Sequence, residues 1–208
     1  IREGVPEWDD QYLSSVAKRL LYNYDLEREY RAAGRRWTLY GAFRAKTQKQ
    51  FFHPALSYAD HETEEHLLVE RTDRPTVRMV ETLVDDGHDL AIVIDPDEEH
   101  YGTDITFVVI ADSIPESVAD YVSGFRDRTL LKFGYYGHYE INLVVVAPDK
   151  QTSIASQTAD VAAAFRLWDD VSESDDGLLS GSQSGFGDNA PLSTLRVVGV
   201  VLDKKAET

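Results

Sequence analysis

One alternating stretch, residues 127–148, constrains the fold more than any other part of the chain. Its odd positions 131, 133, 135, 139, 141, 143 and 145 are apolar or aromatic, whereas its even positions 132, 138, 140 and 142 are polar. A period of two is typical of a half-buried β-strand. At residues 144–147 both parities are apolar, as expected of a strand that enters the middle of a covered sheet. The stretch therefore predicts a central strand or hairpin with one polar face.

Two glycines, Gly134 and Gly137, interrupt this stretch and leave two arrangements open. In a hairpin with a loop at residues 134–136, Leu131 would pair with Tyr139, so that apolar residues face apolar residues. One long strand with a glycine bulge fits the pattern equally well.

The remaining periodicities predict an α+β fold with a mixed, largely antiparallel sheet packed by three or four helices. Helices are predicted over residues 9–33, 75–87, 113–124 and 158–168, and strands over 35–47, 66–71, 104–111 and 195–203. Residues 1–168 are expected to form a single α+β domain. Residues 169–193 are rich in Ser, Gly and Asp, which predicts a flexible segment, and 194–208 hold a late strand and a tail. The late strand either covers an edge of the domain's own sheet or pairs with a second copy in a homo-oligomer.

The charge of the chain is strongly acidic. The formal net charge is -16, with 22 Asp against 15 Glu and 14 Arg against 7 Lys, and there is no Cys. Short carboxylates and scarce lysine are typical of proteins that stay soluble in molar salt behind a hydrated acidic surface. An ordinary acidic protein remains the alternative. No apolar run approaches the ~18 residues of a membrane span, and no signal sequence is visible, so a cytoplasmic location is expected.

Five segments carry a resemblance to a known family: WDDQYL, FFHPALSYADHE, DEEHYGTDITFVV, SGFRDRTLLKFGYYGHYEINLVVVAP and DVAAAFRLW. Together they resemble an uncharacterised family of haloarchaeal cytoplasmic proteins, a domain of unknown function, over about residues 4–168. The resemblance implies a halophilic protein and no particular activity.

The densest group of metal-ligating residue types lies at residues 53–66. It contains His53, His61 and His66 together with Asp60, Glu62 and Glu65. The string HETEEH is one residue longer than the zincin motif HExxH, and on a strand a spacing of five puts the two histidines on opposite faces. Only a loop could join His61 and His66 in one divalent-metal site, with His53 as the third ligand. The alternative is a solvated acidic loop that leads into a strand.

A second candidate site combines carboxylates from two predicted core strands. Asp104 and Glu140 lie on these strands, and Lys132 and His138 are close to Glu140 in sequence. Paired carboxylates with a lysine hold Mg²⁺ and polarise water in metal-dependent nucleases. The usual Glu-x-Lys string is absent, because Asn142 stands where the lysine would be. The alternative is a Glu that pairs across strands with a basic residue.

A third candidate rests on charge distribution. Residues 18–50 carry nine basic and three acidic residues, a local net charge of +6 in a chain of -16. Such asymmetry predicts a surface for nucleic acid or ribonucleoprotein. The candidate contact residues are Arg28, Arg31, Arg35, Arg36, Arg44, Lys46 and Lys49. The alternative is that these residues pair with the chain's own carboxylates.

The fourth candidate is a pocket for a small ligand among Tyr135, Tyr136, His138 and Tyr139, although such aromatics more often belong to the core and its rim. From the sequence, the leading hypothesis is a non-enzymatic binding or accessory protein that contacts RNA or another nucleic acid. The alternative is a metal-dependent hydrolase or nuclease that uses a His and carboxylate cluster. No cofactor is expected other than a divalent metal.

Overall fold

The chain forms one mixed β-sheet with helices on both faces. The structure, a computed structural model, describes residues 6–48, 60–93 and 100–169, without the side chains of 46–48, 60 and 61. The described residues contain α1 (Gln11–Leu20), β1 (Asp25–Ala32), β2 (Arg35–Gln48), β3 (Asp60–Thr72), α2 (Val77–Ala91), β4 (His100–Ala111), α3 (Glu116–Gly124), β5 (Asp127–Leu130), β6 (His138–Ala147), β7 (Thr152–Ala155) and α4 (Ala162–Phe165). These seven strands and four helices confirm the predicted α+β class.

The strands lie in the order β1-β2-β3-β4-β6-β5, and β7 pairs with the second half of β6. The pairs β3/β4 and β4/β6 are parallel, and the other pairs are antiparallel. Parallel neighbours need a crossover connection, and α2 and α3 lie in the two crossovers. The sheet is therefore mixed and largely antiparallel, as predicted, and β4 and β6 are both interior strands.

Residue parity decides which layer each central side chain joins. Val108 and Ile110 pack with α1 and α4 on one side, the α1 face. Phe107 and Val109 pack with α2 and α3 on the other side, the α2 face. Because successive strand residues point to opposite faces, this assignment also fixes the direction of the polar residues at the start of each strand.

The helix predicted over residues 9–33 is wrong in its second half. Asp10 caps α1 by accepting hydrogen bonds from the amides of Tyr12 and Leu13, but the helix ends at Leu20 and β1 follows. Ala33 and Gly34 both have positive φ and form the two-residue loop between β1 and β2. Gly34 therefore closes a hairpin instead of ending a helix, and two positive φ angles are typical of the tightest hairpin turns.

The stretch at residues 127–148 is a hairpin with a longer loop than expected. The last pair of its ladder joins Leu130 to His138, so the loop spans 131–137, and the predicted pairing of Leu131 with Tyr139 is not formed. The apolar alternation fails inside this loop, where Phe133 is 97% and Tyr135 is 86% exposed. It holds over residues 138–143 of β6, and the last seven residues of this strand are all buried.

Gly137 ends this loop at a position that only glycine fits. Its φ is +72°, and a Cβ there would lie 2.1 Å from the carbonyl oxygen of Tyr101. Positive φ favours glycine, and the close approach excludes any side chain. The loop is thereby held against the start of β4.

Several predictions lie outside the described residues. They concern His53, Lys49, the flexible segment after Asp169 and the strand at 195–203. None of the described helices is long and apolar enough to cross a membrane.

Candidate functional site

Three carboxylates lie side by side on the α1 face. The strand register places Glu65 next to Asp104, and Asp104 next to Glu140. Within its own strand each has the parity of a buried α1-face residue: Glu65 that of Leu67, Asp104 that of Val108, and Glu140 that of Val144. Since neighbouring strands are about 4.8 Å apart, the first halves of β3, β4 and β6 form an acidic row.

A histidine joins this row because a glycine leaves room for it. His138 precedes Glu140 by two residues on β6, so both side chains emerge on the same face. Its partner on β4 is Gly102, where an added Cβ would lie only 3.0 Å from the imidazole Cε1. The missing side chain thus gives the imidazole space beside the carboxylates.

Asp104, His138 and Glu140 have the geometry of a metal site. One ligand atom from each lies within 4.8 Å of the other two, and all three residues are partly buried. Carboxylate oxygens suit Mg²⁺ and Mn²⁺, and an imidazole nitrogen suits Zn²⁺ and Fe²⁺. Three protein ligands leave coordination positions open for water or substrate, as in catalytic metal sites.

The electrostatics of the row favour a bound cation. Burial, followed by the charges of Glu65 and Glu140, raises the pKa of Asp104 to about 6. Burial also raises the pKa of Glu65, against the lowering effect of a hydrogen bond with Tyr24. Asp160 adds to the negative potential at both carboxyl groups. A divalent cation would offset this repulsion.

Arg128 lies at the edge of the cluster as an internal counter-ion. Its Nε is 3.5 Å from Glu140 Oε1, and its Nη2 is 3.2 Å from His138 Nδ1. Burial, with a smaller contribution from Arg128, lowers the pKa of His138, so a neutral imidazole accepts the guanidinium hydrogen bond at Nδ1. The Arg128 side chain is 55% exposed, so this contact lies at the solvent side of the cluster.

The segment after β7 closes one side of the site. Thr158 Oγ1 donates to Asn142 Oδ1 at 2.6 Å, and Ser156 Oγ donates to the same oxygen at 3.3 Å. These bonds satisfy the side-chain carbonyl oxygen of the buried Asn142 and bring the segment over the acidic row. The result is a cavity of about 310 Å³ lined by Thr63, Tyr101, Gly102, Asp104, Arg128, His138, Glu140 and Thr158.

Of the four predicted catalytic candidates, only Lys132 lies away from this cluster. It is exposed in the loop at 131–137, where its Nζ lies 5.9 Å from the ring centroid of Tyr136. The structure brings the other three together and adds Glu65 and Arg128, which the sequence did not single out for this site.

Of the three histidines predicted as metal ligands, His66 alone has a described side chain. His61 and His66 both belong to β3, but the side chain of His61 lies outside the description, so the predicted metal site stays a prediction. His66 lies on the α2 face, where its Nδ1 is 2.8 Å from the hydroxyl of Tyr40. His53 lies outside the description.

The basic segment is largely paired internally. Ion pairs join Arg35 to Glu70 and Asp86, Arg36 to Glu29, and Arg44 to Glu64, and Arg28 donates to the carbonyl of Glu7. Arg31 is exposed and makes no ion pair among the described residues. The side chain of Lys46 and all of Lys49 lie outside the description. The surface at the β1–β2 turn still presents Arg31, Arg35 and Arg36 together.

The four residues predicted to line one pocket divide among three places. Tyr135 and Tyr136 together line a pocket in the loop at 131–137, with Lys132 and Phe133. The Tyr139 hydroxyl is 3.0 Å from His88 Nδ1, below α2 on the α2 face. His138 belongs to the acidic row instead.

A family model described as a domain of unknown function (DUF8052) matches residues 9–167. The chain belongs to this family. No curated protein and no solved structure matches the chain.

Proposed function

We propose that this family member is a divalent-metal-dependent hydrolase of phosphate esters, with Asp104, His138 and Glu140 as the metal ligands. The observation that carries the proposal is the convergence of their ligand atoms within 4.8 Å of one another. A neutral imidazole and ionised carboxylates are the ligand forms that bind metals. The lowered pKa of His138 favours the neutral imidazole.

The neighbouring residues have the chemistry that such a reaction needs. A bound divalent cation would supply a water of lowered pKa and polarise a phosphoryl oxygen. Glu65, whose pKa is raised, is placed to accept a proton beside Asp104. Arg128 can pair with a phosphate oxygen once it leaves Glu140, because guanidinium and phosphate match in geometry.

Metal binding is the first test. Protein dialysed against EDTA is titrated with MnCl₂, ZnCl₂ and MgCl₂ by calorimetry in molar KCl. We expect one bound ion per chain, with an affinity at least about tenfold lower in Asp104→Asn and Glu140→Gln. Glu81→Gln, an exposed change on α2, is the matched control and should bind as the wild type does. Equal affinities in all four proteins would exclude these ligands.

Hydrolysis is the second test. Bis(4-nitrophenyl) phosphate, 4-nitrophenyl phosphate and single-stranded RNA and DNA oligonucleotides separate diesterase, monoesterase and nuclease activities. We expect metal-dependent turnover that Asp104→Asn abolishes and Glu81→Gln preserves. Metal binding without turnover of any of these substrates would retain the metal centre and reject the hydrolase.

The cellular setting of this proposal is a cytoplasm with molar salt. The net charge of -16 and the excess of Asp over Glu support it, because a hydrated acidic surface keeps proteins soluble at high salt. Thermal unfolding and light scattering across a KCl series test this. A transition temperature that does not rise between low and molar KCl would contradict halophilic adaptation.

A second candidate function is nucleic-acid contact at the β1–β2 turn. Arg36 is already paired with Glu29, but Arg31, directly opposite it in the ladder, is exposed and makes no ion pair among the described residues, so its guanidinium can contact a phosphate. Binding of labelled RNA, measured by anisotropy at several KCl concentrations, should weaken in Arg31→Ala and Arg36→Ala. Arg78→Ala, an exposed change on α2, is the charge-matched control. Equal weakening in all three variants would indicate only nonspecific attraction.

A further inference from the structure

The loop between β5 and β6, residues 131–137, groups exposed aromatic surface beside the proposed metal centre. Phe133 is 97% and Tyr135 is 86% exposed. Leu130, just before the loop, and Tyr101, on the neighbouring strand β4, are 60% and 51% exposed. These four are the majority of the seven large hydrophobic side chains that are exposed among the described residues. Single exposed hydrophobic residues are normal, whereas a group of them indicates a surface that contacts another molecule.

This aromatic surface begins at a ligand of the proposed metal centre. Gly137, the last residue of the loop, lies against the carbonyl oxygen of Tyr101 and directly precedes His138. The Tyr101 ring is edge-on to the His138 imidazole, with ring centroids 5.9 Å apart. Tyr101 also lines the cavity of the metal centre. A molecule that contacts both the loop and the metal centre therefore needs to cross only this one tyrosine.

The backbone of the loop is ordered although its side chains are exposed. The Leu131 amide donates to the Gly137 carbonyl oxygen at 3.0 Å. His100 Nδ1 donates to the carbonyl oxygen of Tyr136 at 2.7 Å, because a carbonyl oxygen can only accept. A loop that is already held in this way loses little conformational entropy when a ligand binds.

Two residues of the loop have a strained backbone. Lys132 and Phe133 have φ angles of +47° and +60°, in the left-handed region that bulky residues rarely adopt. The strain brings no gain in core packing, since Phe133 is almost fully exposed. Strain that the core does not explain is typical of ligand-binding segments.

The side chains of the loop match the two parts of a nucleotide. Lys132, Phe133, Tyr135 and Tyr136 line a pocket of about 530 Å³. Aromatic rings stack on nucleobases of any sequence, and the ammonium group of Lys132 can contact a backbone phosphate. The bases of a single strand can reach such rings, whereas those of a duplex are covered by their neighbours.

Stacking is also the contact that the charge of the whole chain allows. A net charge of -16 gives no long-range attraction for a polyanion. In ~1 M salt the Debye length is about 3 Å, so distant charges contribute little in either direction. Stacking needs only close contact between ring and base. The aromatic loop can therefore replace the basic groove that ordinarily guides a strand.

We propose that the loop at 131–137 is the base-binding surface of the metal centre. Phe133 and Tyr135 stack on unpaired bases of single-stranded RNA or DNA, and the strand continues past Tyr101 to the cavity at His138. This inference rests on the proposed hydrolase function and narrows its substrate from phosphate esters in general to a single-stranded polynucleotide.

The first measurement is strand binding by the full chain, dialysed against EDTA so that no strand is cleaved. Fluorescence anisotropy at low and at molar KCl compares labelled oligo(U), oligo(dT) and an abasic strand of the same length, which has the same charge and no bases. We expect oligo(U) or oligo(dT) to bind at least about fivefold more tightly than the abasic strand, as base stacking requires. Most of this preference should remain in molar KCl. The ratio of the oligo(U) and oligo(dT) affinities identifies the preferred sugar.

Substitutions at two positions separate stacking from apolar contact. Phe133→Ala and Tyr135→Ala should each weaken binding of the base-bearing strand at least about fivefold and leave the abasic strand unchanged. Phe133→Tyr retains a ring and should bind as the wild type does. Phe133→Leu retains only apolar surface and should bind as weakly as Phe133→Ala. Thermal unfolding confirms that each variant is folded.

Kinetics with Mn²⁺ provide a second measurement. Phe133→Ala should raise KM for the oligonucleotide at least about fivefold and leave kcat close to the wild-type value, because its ring contacts bases and not the reacting phosphate. The Mn²⁺ affinity of this variant should equal that of the wild type.

Three results would overturn the proposal. The first is equal affinity for base-bearing and abasic strands. The second is wild-type affinity in both alanine variants or in Phe133→Leu. The third is binding to phosphatidylglycerol vesicles without affinity for either strand, which would assign the loop to a membrane surface. All three leave metal binding and turnover of bis(4-nitrophenyl) phosphate untouched. Loop-dependent base binding without any turnover would instead reject the hydrolase and support the base-binding surface.

Discussion

Replacing Asp104 by Asn is expected to stabilise the metal-free protein at pH 8. Burial, with Glu65 and Glu140, raises the pKa of Asp104 from 3.8 to about 6. A raised pKa means that the folded protein resists ionisation of this carboxyl group. The stability that the protonated Asp104 carboxyl contributes is therefore fully present below pH 3.8, and it is lost as the pH rises through about 6. The isosteric amide carries no charge and avoids this loss.

The magnitude follows from the size of the shift. About two pKa units at 1.36 kcal/mol each would give about 3 kcal/mol for a fully buried carboxyl. Asp104 is only partly buried, so solvent screening reduces the expected gain to about 1–2 kcal/mol. At pH 4, where the carboxyl is largely protonated in the folded state, the gain should fall to a few tenths of a kcal/mol, about a quarter of the pH 8 value or less.

Urea unfolding in EDTA at pH 4 and pH 8, at constant KCl, measures this difference. Asp120→Asn, an exposed change on α3, is the matched control and should have little effect at either pH. Adding Mn²⁺ at pH 8 should reverse the order of stability, because a ligand that binds only the folded wild type stabilises it. An Asp104→Asn variant no more stable than wild type at pH 8, or one that gains equally at both pH values, would refute the reasoning.

Three further substitutions, and one control at Gly124, test the geometry around the site. Gly137→Ala should destabilise the protein by more than about 2 kcal/mol in urea unfolding, because of its positive φ and the carbonyl oxygen 2.1 Å from the new Cβ. Gly124→Ala, which meets nothing within 4 Å, should be neutral or slightly stabilising. Gly102→Ala should crowd the His138 ring and lower Mn²⁺ affinity by calorimetry while the protein stays folded. Arg128→Gln should raise Mn²⁺ affinity several-fold, since the competing cation is removed, and lower turnover of phosphate esters in the hydrolysis assay.

The central sheet could be predicted because its pattern is local. Residues 104–111 and 139–147 carry long apolar runs that only a covered strand accommodates, and both are interior strands. The first hairpin could not be predicted in the same way. The charged residues at 25–32 resemble those of α1 in composition, so they read as a continuation of the helix. The turn depends on the positive φ of Ala33, and alanine is not a residue type that indicates a positive φ.

The alternation in β2 fails for a similar reason. Trp37 and Leu39 have the same parity, which predicts one shared face, but Trp37 packs on the α2 face and Leu39 on the α1 face. Glu29, on the neighbouring strand, has a φ of +53°, and it lies between the pairs Arg28–Leu39 and Tyr30–Trp37. A local distortion of the ladder changes the facing of the side chains on either side of it.

The acidic row could be predicted only in part. Asp104, His138 and Glu140 could be predicted because each is a metal-ligating residue type within or beside a strand that the sequence predicts. Glu65 belongs to the row only because of the register between β3 and β4, which depends on tertiary packing. Lys132 was expected near Glu140, but the ladder ends at Leu130 and leaves Lys132 in the loop.

Because side chains alternate along β3, its consecutive residues contribute to different polar clusters on the two faces of the sheet. Glu65 joins the acidic row, while Glu64 and His66 line a cavity of about 440 Å³ on the α2 face. A slip of one residue would exchange these faces, placing Glu65 below α2 and removing it from Asp104. The slip is opposed by residues 67–69, which are buried against helices on both faces. The packing of residues 67–69 therefore fixes the register of β3. That register in turn decides which residues of the first half of the strand belong to the acidic row and which to the cavity.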